Sequence, residues 1–208
     1  MVGVLENDDP LPSTTGAGAS IRKLDNRAFT EVAQSYLEAI SVPREPTVLA
    51  AYAQLEEQTD SMFAAISRAI RIVFTRCPMP YSSECEMISS VRAEKLLEIT
   101  SSSAGPNGRH PMFGSRFGGA YDRFRAVHDF SGHVKLNAGF DRHGEFMTWL
   151  QQDRDFAGLA RWALATELHG RNSVLCTTGD FAEPKAILLD LRLVLRSKRG
   201  LKVESARH

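Results

Sequence analysis

Arg125-Ala126-Val127-His128-Asp129-Phe130-Ser131-Gly132-His133 is the stretch on which the reading of this chain turns. It follows Ala120-Tyr121-Asp122-Arg123-Phe124 and reads as the end of a helix running from about Gly119 to Ser131. Residues five apart on a straight α-helix point about 140° away from each other, so His128 and His133 cannot face one point without a break. Gly132 offers that break: a glycine just past a helix end can take a left-handed turn and let the next side chain swing back. On a later helix, Glu167 lies among Phe156, Leu159, Trp162, Ala163 and Leu168, where a carboxylate is costly to bury unless it is paired or metal-bound. Two imidazoles and one carboxylate with open positions are the ligand set of non-haem Fe(II). Helices carrying inward ligands therefore set both the expected fold and the expected chemistry.

Working outward, the chain reads as mainly α, one helical domain with one small β element. Phe29, Val32, Ala33, Tyr36, Leu37 and Ile40 recur at helical spacing until Pro43. A longer helix opens near Pro46, with Leu49, Tyr52, Leu55, Thr59, Met62, Phe63 and Ile66 on its apolar face and Glu56 and Glu57 beside it. Residues 70–75 and 97–100 read as short strands. Between them Ser82 or Ser83 caps a helix carrying Met87, Ile88, Val91 and Leu96. Residues 101–119 form a long Gly/Ser/Pro loop containing His110, expected to line a pocket and to move. Helices are expected over 145–152, 156–169 and 181–198, the last with Ile187, Leu188, Leu191, Val194 and Leu195 on one face. Residues 1–24 and 200–208 read as polar tails around a domain at 25–199.

The bulk numbers narrow the classes. The 208 residues are 43% hydrophobic, enough for one buried core. With 25 basic and 25 acidic residues the formal net charge is zero, which leaves no electrostatic footprint for nucleic acid. No apolar window reaches the ~18 residues of a membrane span, and the first residues lack the pattern of a signal peptide. Cys77, Cys85 and Cys176 have no ligand spacing and read as reduced thiols of a cytoplasmic protein.

His128-Asp-Phe-Ser-Gly-His133-Val resembles the His-Glu-Leu-Leu-Gly-His-Val segment of the pterin-dependent aromatic amino acid hydroxylases. In that family both histidines and a glutamate on a later helix bind iron. The resemblance implies His128, His133 and Glu167 as the Fe(II) ligands, O2 as cosubstrate and a small organic substrate such as an amino acid or amine. It covers roughly a quarter of the chain and does not extend to a pterin or amino-acid clamp. A wider pattern is similar to an uncharacterised phage and bacterial family: Phe124-Arg-Ala-Val-His-Asp, Gly132-His133, Gly144-Glu145, Thr166-Glu167 and Gly170-Arg171-Asn172-Ser173. This second resemblance implies no activity, but it draws Asp129 and Glu145 into the ligand inventory. With Glu57 they would suffice for a second iron.

Two further readings compete. His128-Asp129 is also the dyad of HD-type metal phosphohydrolases, with His110 as upstream and Asp180 or Asp190 as downstream ligand. Alternatively, His128 is a core histidine bonded to a carbonyl and His133 a helix cap, in a non-catalytic helical binding protein. Asp129 is a candidate partner for a metal-bound imidazole. Arg125 is spaced for an i,i+4 pair with Asp129, and Arg171 is a candidate clamp for a substrate carboxylate. His169 reads as a cap before Gly170.

Overall fold

The computed structural model describes residues 26–104 and 109–199. The two tails, and part of the 101–119 loop, lie outside the described residues. The fold is mainly α, with one two-stranded parallel sheet.

The first helix, α1 (Asn26–Glu38), buries Ala28, Phe29, Val32, Ala33 and Tyr36 at helical spacing. Its C-terminal carbonyls lack intrahelical partners, and the Lys185 ammonium supplies them. Nζ donates to the carbonyls of Tyr36, Leu37 and Ala39 at 2.7–2.9 Å. In α2 (Pro46–Ile66), proline occupies the first turn, where its missing N–H costs nothing, and Glu45 caps the helix by accepting from Val48 N at 2.7 Å. Leu37, Ile40 and Leu49, expected on the apolar faces, are solvent-exposed instead, as is Glu57.

Strands β1 (Arg71–Thr75) and β2 (Leu96–Thr100) pair in parallel, Arg71 opposite Leu96 and Thr75 opposite Thr100. A parallel pair needs a crossover, which α3 (Glu84–Glu94) provides. Ser83 caps α3, and Lys95 in the left-handed region (φ 55°) ends it and turns the chain into β2. Leu96 thus belongs to the strand, not to the helix.

The second half is a set of packed helices with two departures from α geometry. Helix α4 (Ala120–His128) runs without a cap into a π segment, Asp129–Val134. After a loop comes α5 (Arg142–Asp155), capped by Asp141, which accepts from Gly144 N at 2.7 Å. Then α6 (Ala160–Leu164) continues through a second π segment, Ala165–Gly170, into α7 (Arg171–Thr178), stopped by Gly179 at φ 83°. The expected helix break at His169 is therefore absent. Helix α2 packs on α4 and α6, α1 on α7, and α5 against both π segments.

The last helix, α8 (Leu191–Arg199), is shorter than its apolar pattern suggests. Residues 181–190 run irregularly because other elements satisfy their backbone. Val42 N donates to Ala186 O (2.8 Å), Ser41 Oγ accepts from Ala186 N (2.9 Å), and Thr166 Oγ1 joins Ile187 O and Leu189 N at 3.3 Å. Ile187 and Leu189 are buried in this irregular conformation. Among the described residues, no helix is long and apolar enough to cross a membrane.

Candidate metal centre

The π segment after α4 resolves the spacing of the two histidines. An i→i+5 hydrogen bond stacks residue i+5 over residue i, as i→i+4 does in an α-helix. His128, the last residue of α4, and His133 in the π segment therefore face the same side, with Nε2 atoms 3.3 Å apart and rings edge-on at 4.9 Å. The expected left-handed turn at Gly132 does not occur; Gly132 is not among the positive-φ glycines. Its role is close approach. A Cβ at Gly132 would lie 2.8 Å from Thr148 Cβ, so α5 could not come this near the histidines.

Helix α5 brings the third group, Glu145. Its Oε2 lies 3.4 Å from His128 Nε2 and its Oε1 3.4 Å from His133 Nε2. The three residues offer ligand atoms that converge on one point. The outer ring nitrogens are anchored to carbonyls: His128 Nδ1 to Gln152 Oε1 at 3.0 Å and His133 Nδ1 to Ala138 O at 3.1 Å. A carbonyl oxygen can only accept, so each Nδ1 carries the proton and each Nε2 has a lone pair aimed inward. Two lone pairs held at 3.3 Å with a carboxylate across them need a cation between them. Ligands ~2.1 Å from one ion and about 90–110° apart lie ~3.0–3.4 Å from each other, which matches the spacing of the two ring nitrogens and of each ring nitrogen from its nearer carboxylate oxygen. Without an ion, a proton takes that place. Burial lowers the basicity of His128, but Glu145 outweighs it and holds the imidazole up at about 9. Burial likewise opposes charge on Glu145, and the two imidazoles outweigh it, holding the carboxyl at about 2.

The loop from Lys135 to Asp141 braces His133. Ala138 N donates to His133 O while His133 Nδ1 donates to Ala138 O, a reciprocal clasp closed by Asn137 at φ 53°. The side chain of Glu145 is 23% exposed, that of His128 12% and that of His133 1%, so solvent reaches the cluster from the Glu145 side. Phe140, half-exposed, stands edge-on to the His133 ring at 4.9 Å and supplies an apolar wall.

Glu167 is not part of this cluster. Its carboxylate is fully buried and takes Tyr52 OH at 2.6 Å and His110 Nε2 at 3.0 Å on Oε1, with Arg171 3.5 Å from Oε2. His110 Nδ1 accepts from Met112 N and Phe113 N, both 3.1 Å, which fixes Nε2 as the donor. Burial opposes ionisation of Glu167, but His110, Arg171 and Tyr52 together keep its pKa below the usual value. The buried carboxylate is paired with these three side chains, and it is not among the residues whose ligand atoms converge with those of His128 and His133. His110 is therefore engaged with Glu167, away from the His128-Asp129 dyad that the phosphohydrolase reading requires.

Arg171 turns inward as well. It bonds Tyr121 OH and donates to Ala182 O at 3.1 Å, besides Glu167, so the expected substrate clamp is a structural tie. Asp129 sits at the α4–π junction, half-buried, and its charge favours protonated His128. Arg125 donates to Thr100 O at 2.5 Å rather than pairing with Asp129. The 101–119 loop is anchored at its ends. Asp122 accepts from Ser101 Oγ (2.6 Å), Ser102 N (2.7 Å) and Gly118 N (2.8 Å), and His110 is buried against Glu167. His169 is no cap: it is 1% exposed and stacked on Trp149 at 4.2 Å, with neither ring nitrogen hydrogen-bonded.

Sequence reasoning did not see Gln152, Ala138 or Thr148 as supports. The only signal for them was their place on or before the helix that carries Glu145. Comparisons with protein-family models, with curated proteins and with solved structures give no match to this chain.

Proposed function

We propose that this protein is a non-haem iron-dependent oxygenase of a small organic substrate, an amino acid or amine being the first class to test. One Fe(II) is held by His128, His133 and Glu145. The observation that carries the reading is the pair of ring nitrogens 3.3 Å apart, each 3.4 Å from one oxygen of the Glu145 carboxylate, with both imidazoles anchored through Nδ1. Two histidines and one carboxylate leave further coordination positions free, the hallmark of Fe(II) sites that activate O2. A structural zinc site would be closed by a fourth protein ligand. Bound iron would supply the oxygen chemistry. The chain supplies ligand geometry, the Phe140 wall and an approach on the Glu145 side.

One ion is favoured over two. Glu57 is exposed on α2, Glu167 is committed to Tyr52, His110 and Arg171, and among the described residues the one convergent ligand group is the triad. The test is metal analysis of protein purified without air, followed by oxygen uptake with Fe(II) and a panel of amino acids and amines. One iron per chain and substrate-dependent O2 consumption are expected. Phosphoester turnover supported by Mn(II) without O2 would overturn the oxygenase reading.

A further inference from the structure

Helix α5 supplies more than the Glu145 carboxylate. Two turns further along the same helix lies Gln152, 1% exposed. Its amide nitrogen donates to Val127 O at 3.3 Å and its amide oxygen lies 3.0 Å from His128 Nδ1. The carbonyl of Val127 can only accept, so the NH2 must face it. The amide oxygen must then face the imidazole, and His128 must carry its proton on Nδ1. The order of the bonds leaves no other tautomer.

We propose that Gln152 is the positioning residue of the metal centre, the side chain that aims His128 Nε2 at the ion; this assignment rests on the metal reading above. The two imidazoles are held differently. His133 leans on the backbone carbonyl of Ala138, which no substitution removes. His128 leans on a side chain, so one substitution at Gln152 releases one ligand and leaves the other in place. Partners of this kind fix ring orientation and tautomer, and their loss weakens metal binding about 10–100-fold.

The two halves of the amide can be tested separately. Gln152→Leu and Gln152→Met remove both bonds. Gln152→Glu keeps an oxygen for His128 Nδ1–H but cannot donate to Val127 O. A purely structural role makes glutamate as harmful as leucine, whereas a positioning role makes glutamate a rescue. Co(II), whose visible absorption reports coordination, is titrated into the metal-free full chain and each variant, with thermal unfolding of the metal-free proteins alongside. The wild type is expected to bind one Co(II). Leu and Met variants should bind about 10–100-fold more weakly, and the Glu variant as tightly as wild type or tighter, even though its metal-free form unfolds at a lower temperature. Leu and Met variants that bind like wild type, or a Glu variant as weak as they are, overturn the role of Gln152 while the metal site stands. A wild type that binds no Co(II) overturns the metal reading itself and this role with it.

Discussion

Two clusters of histidine and glutamate each take one residue from a π segment, His133 in one and Glu167 in the other, and differ in which atoms they leave free. In the first, His128, His133 and Glu145 turn two ring nitrogens and two carboxylate oxygens toward one point, and every outward hydrogen bond holds that arrangement open. In the second, the Glu167 carboxylate is covered by Tyr52, His110 and Arg171, and the donor atoms of those residues point at it. A ligand set is made by unsatisfied acceptors held together, and a latch by acceptors already matched to donors. π segments recur at functional sites, yet here the same backbone device serves one of each.

The largest effect expected from this contrast is a crossed pair of losses. Glu145→Ala should abolish stoichiometric metal and leave the fold intact. Glu167→Ala should keep the metal but cost about 3–5 kcal/mol, because Arg171 and the donors of Tyr52 and His110 stay buried without their partner. Metal analysis and urea unfolding read the two losses separately, and Glu167→Gln serves as the milder version if the alanine variant does not fold. A Glu167 variant of normal stability that has lost its metal would exchange the roles of the two clusters.

Much of this was legible in the sequence. The periodicity of α1 and α2, the β-branched runs of the sheet and the Ser83 cap mark their elements by local chemistry alone. His128 and His133 were legible as a pair, but the device that joins them was not, since an i→i+5 segment between α-helices has no periodic signature of its own. Glu167 attracted attention because it interrupts an apolar run, and that pattern reports burial without saying what satisfies the charge. Glu145 sits in the first turn of α5, where an acid is ordinary because it complements the helix dipole. Its local chemistry did not distinguish it; only the wider pattern that contains Gly144-Glu145 brought it into the ligand inventory. Residues 181–190 misled for a related reason: Ile187, Leu188 and Leu191 have helical spacing, but Pro184 and the backbone partners offered by Val42 and Thr166 decide the conformation.

A smaller effect sharpens the contrast from the open side. Gly144 lies under the loop that braces His133, and a Cβ there would stand 2.0 Å from Gly139 O. Gly144→Ala must push that loop away, at about 1–3 kcal/mol for an overpacked contact. Ala138 O would move with it and free the His133 ring. Metal affinity should therefore fall along with stability, which separates this variant from Glu167→Ala, where stability alone falls. Equal metal affinity in Gly144→Ala and wild type would mean that the clasp between Ala138 and His133 does not set the site.

The smallest effect concerns a third kind of histidine, one with no carboxylate at all. His169 is stacked on Trp149 with planes 7° apart and edged by Phe29 and Phe146 at 5.1 and 5.4 Å. Burial first, then the cations of Lys198 and Arg142, hold it neutral and lower its pKa to about 3. Below its ordinary value of 6.5 the unfolded chain takes up a proton that the folded state refuses. Stability must therefore fall as pH falls, by at most about 1.4 kcal/mol per pH unit, until the folded pKa is reached. His128 runs the other way. Raised to about 9, it is protonated in the folded state throughout, and it opposes the His169 slope near 6.5, where the unfolded imidazole is half protonated, but fades well below that value. Glutamates, with an ordinary value of 4.5, add their own slope only near and below that value. Because His128 contributes at the upper end of the interval from 4.5 to 6.5 and glutamates at the lower end, His169 is read from the difference between the wild type and a variant that lacks it. Urea midpoints across that interval should decline with acid more steeply in the wild type than in His169→Phe, whatever the absolute stability of the variant. Parallel lines for the two proteins would mean that His169 accepts a proton inside the fold, and that an aromatic box without a carboxylate tolerates the charge that the open cluster needs Glu145 to hold.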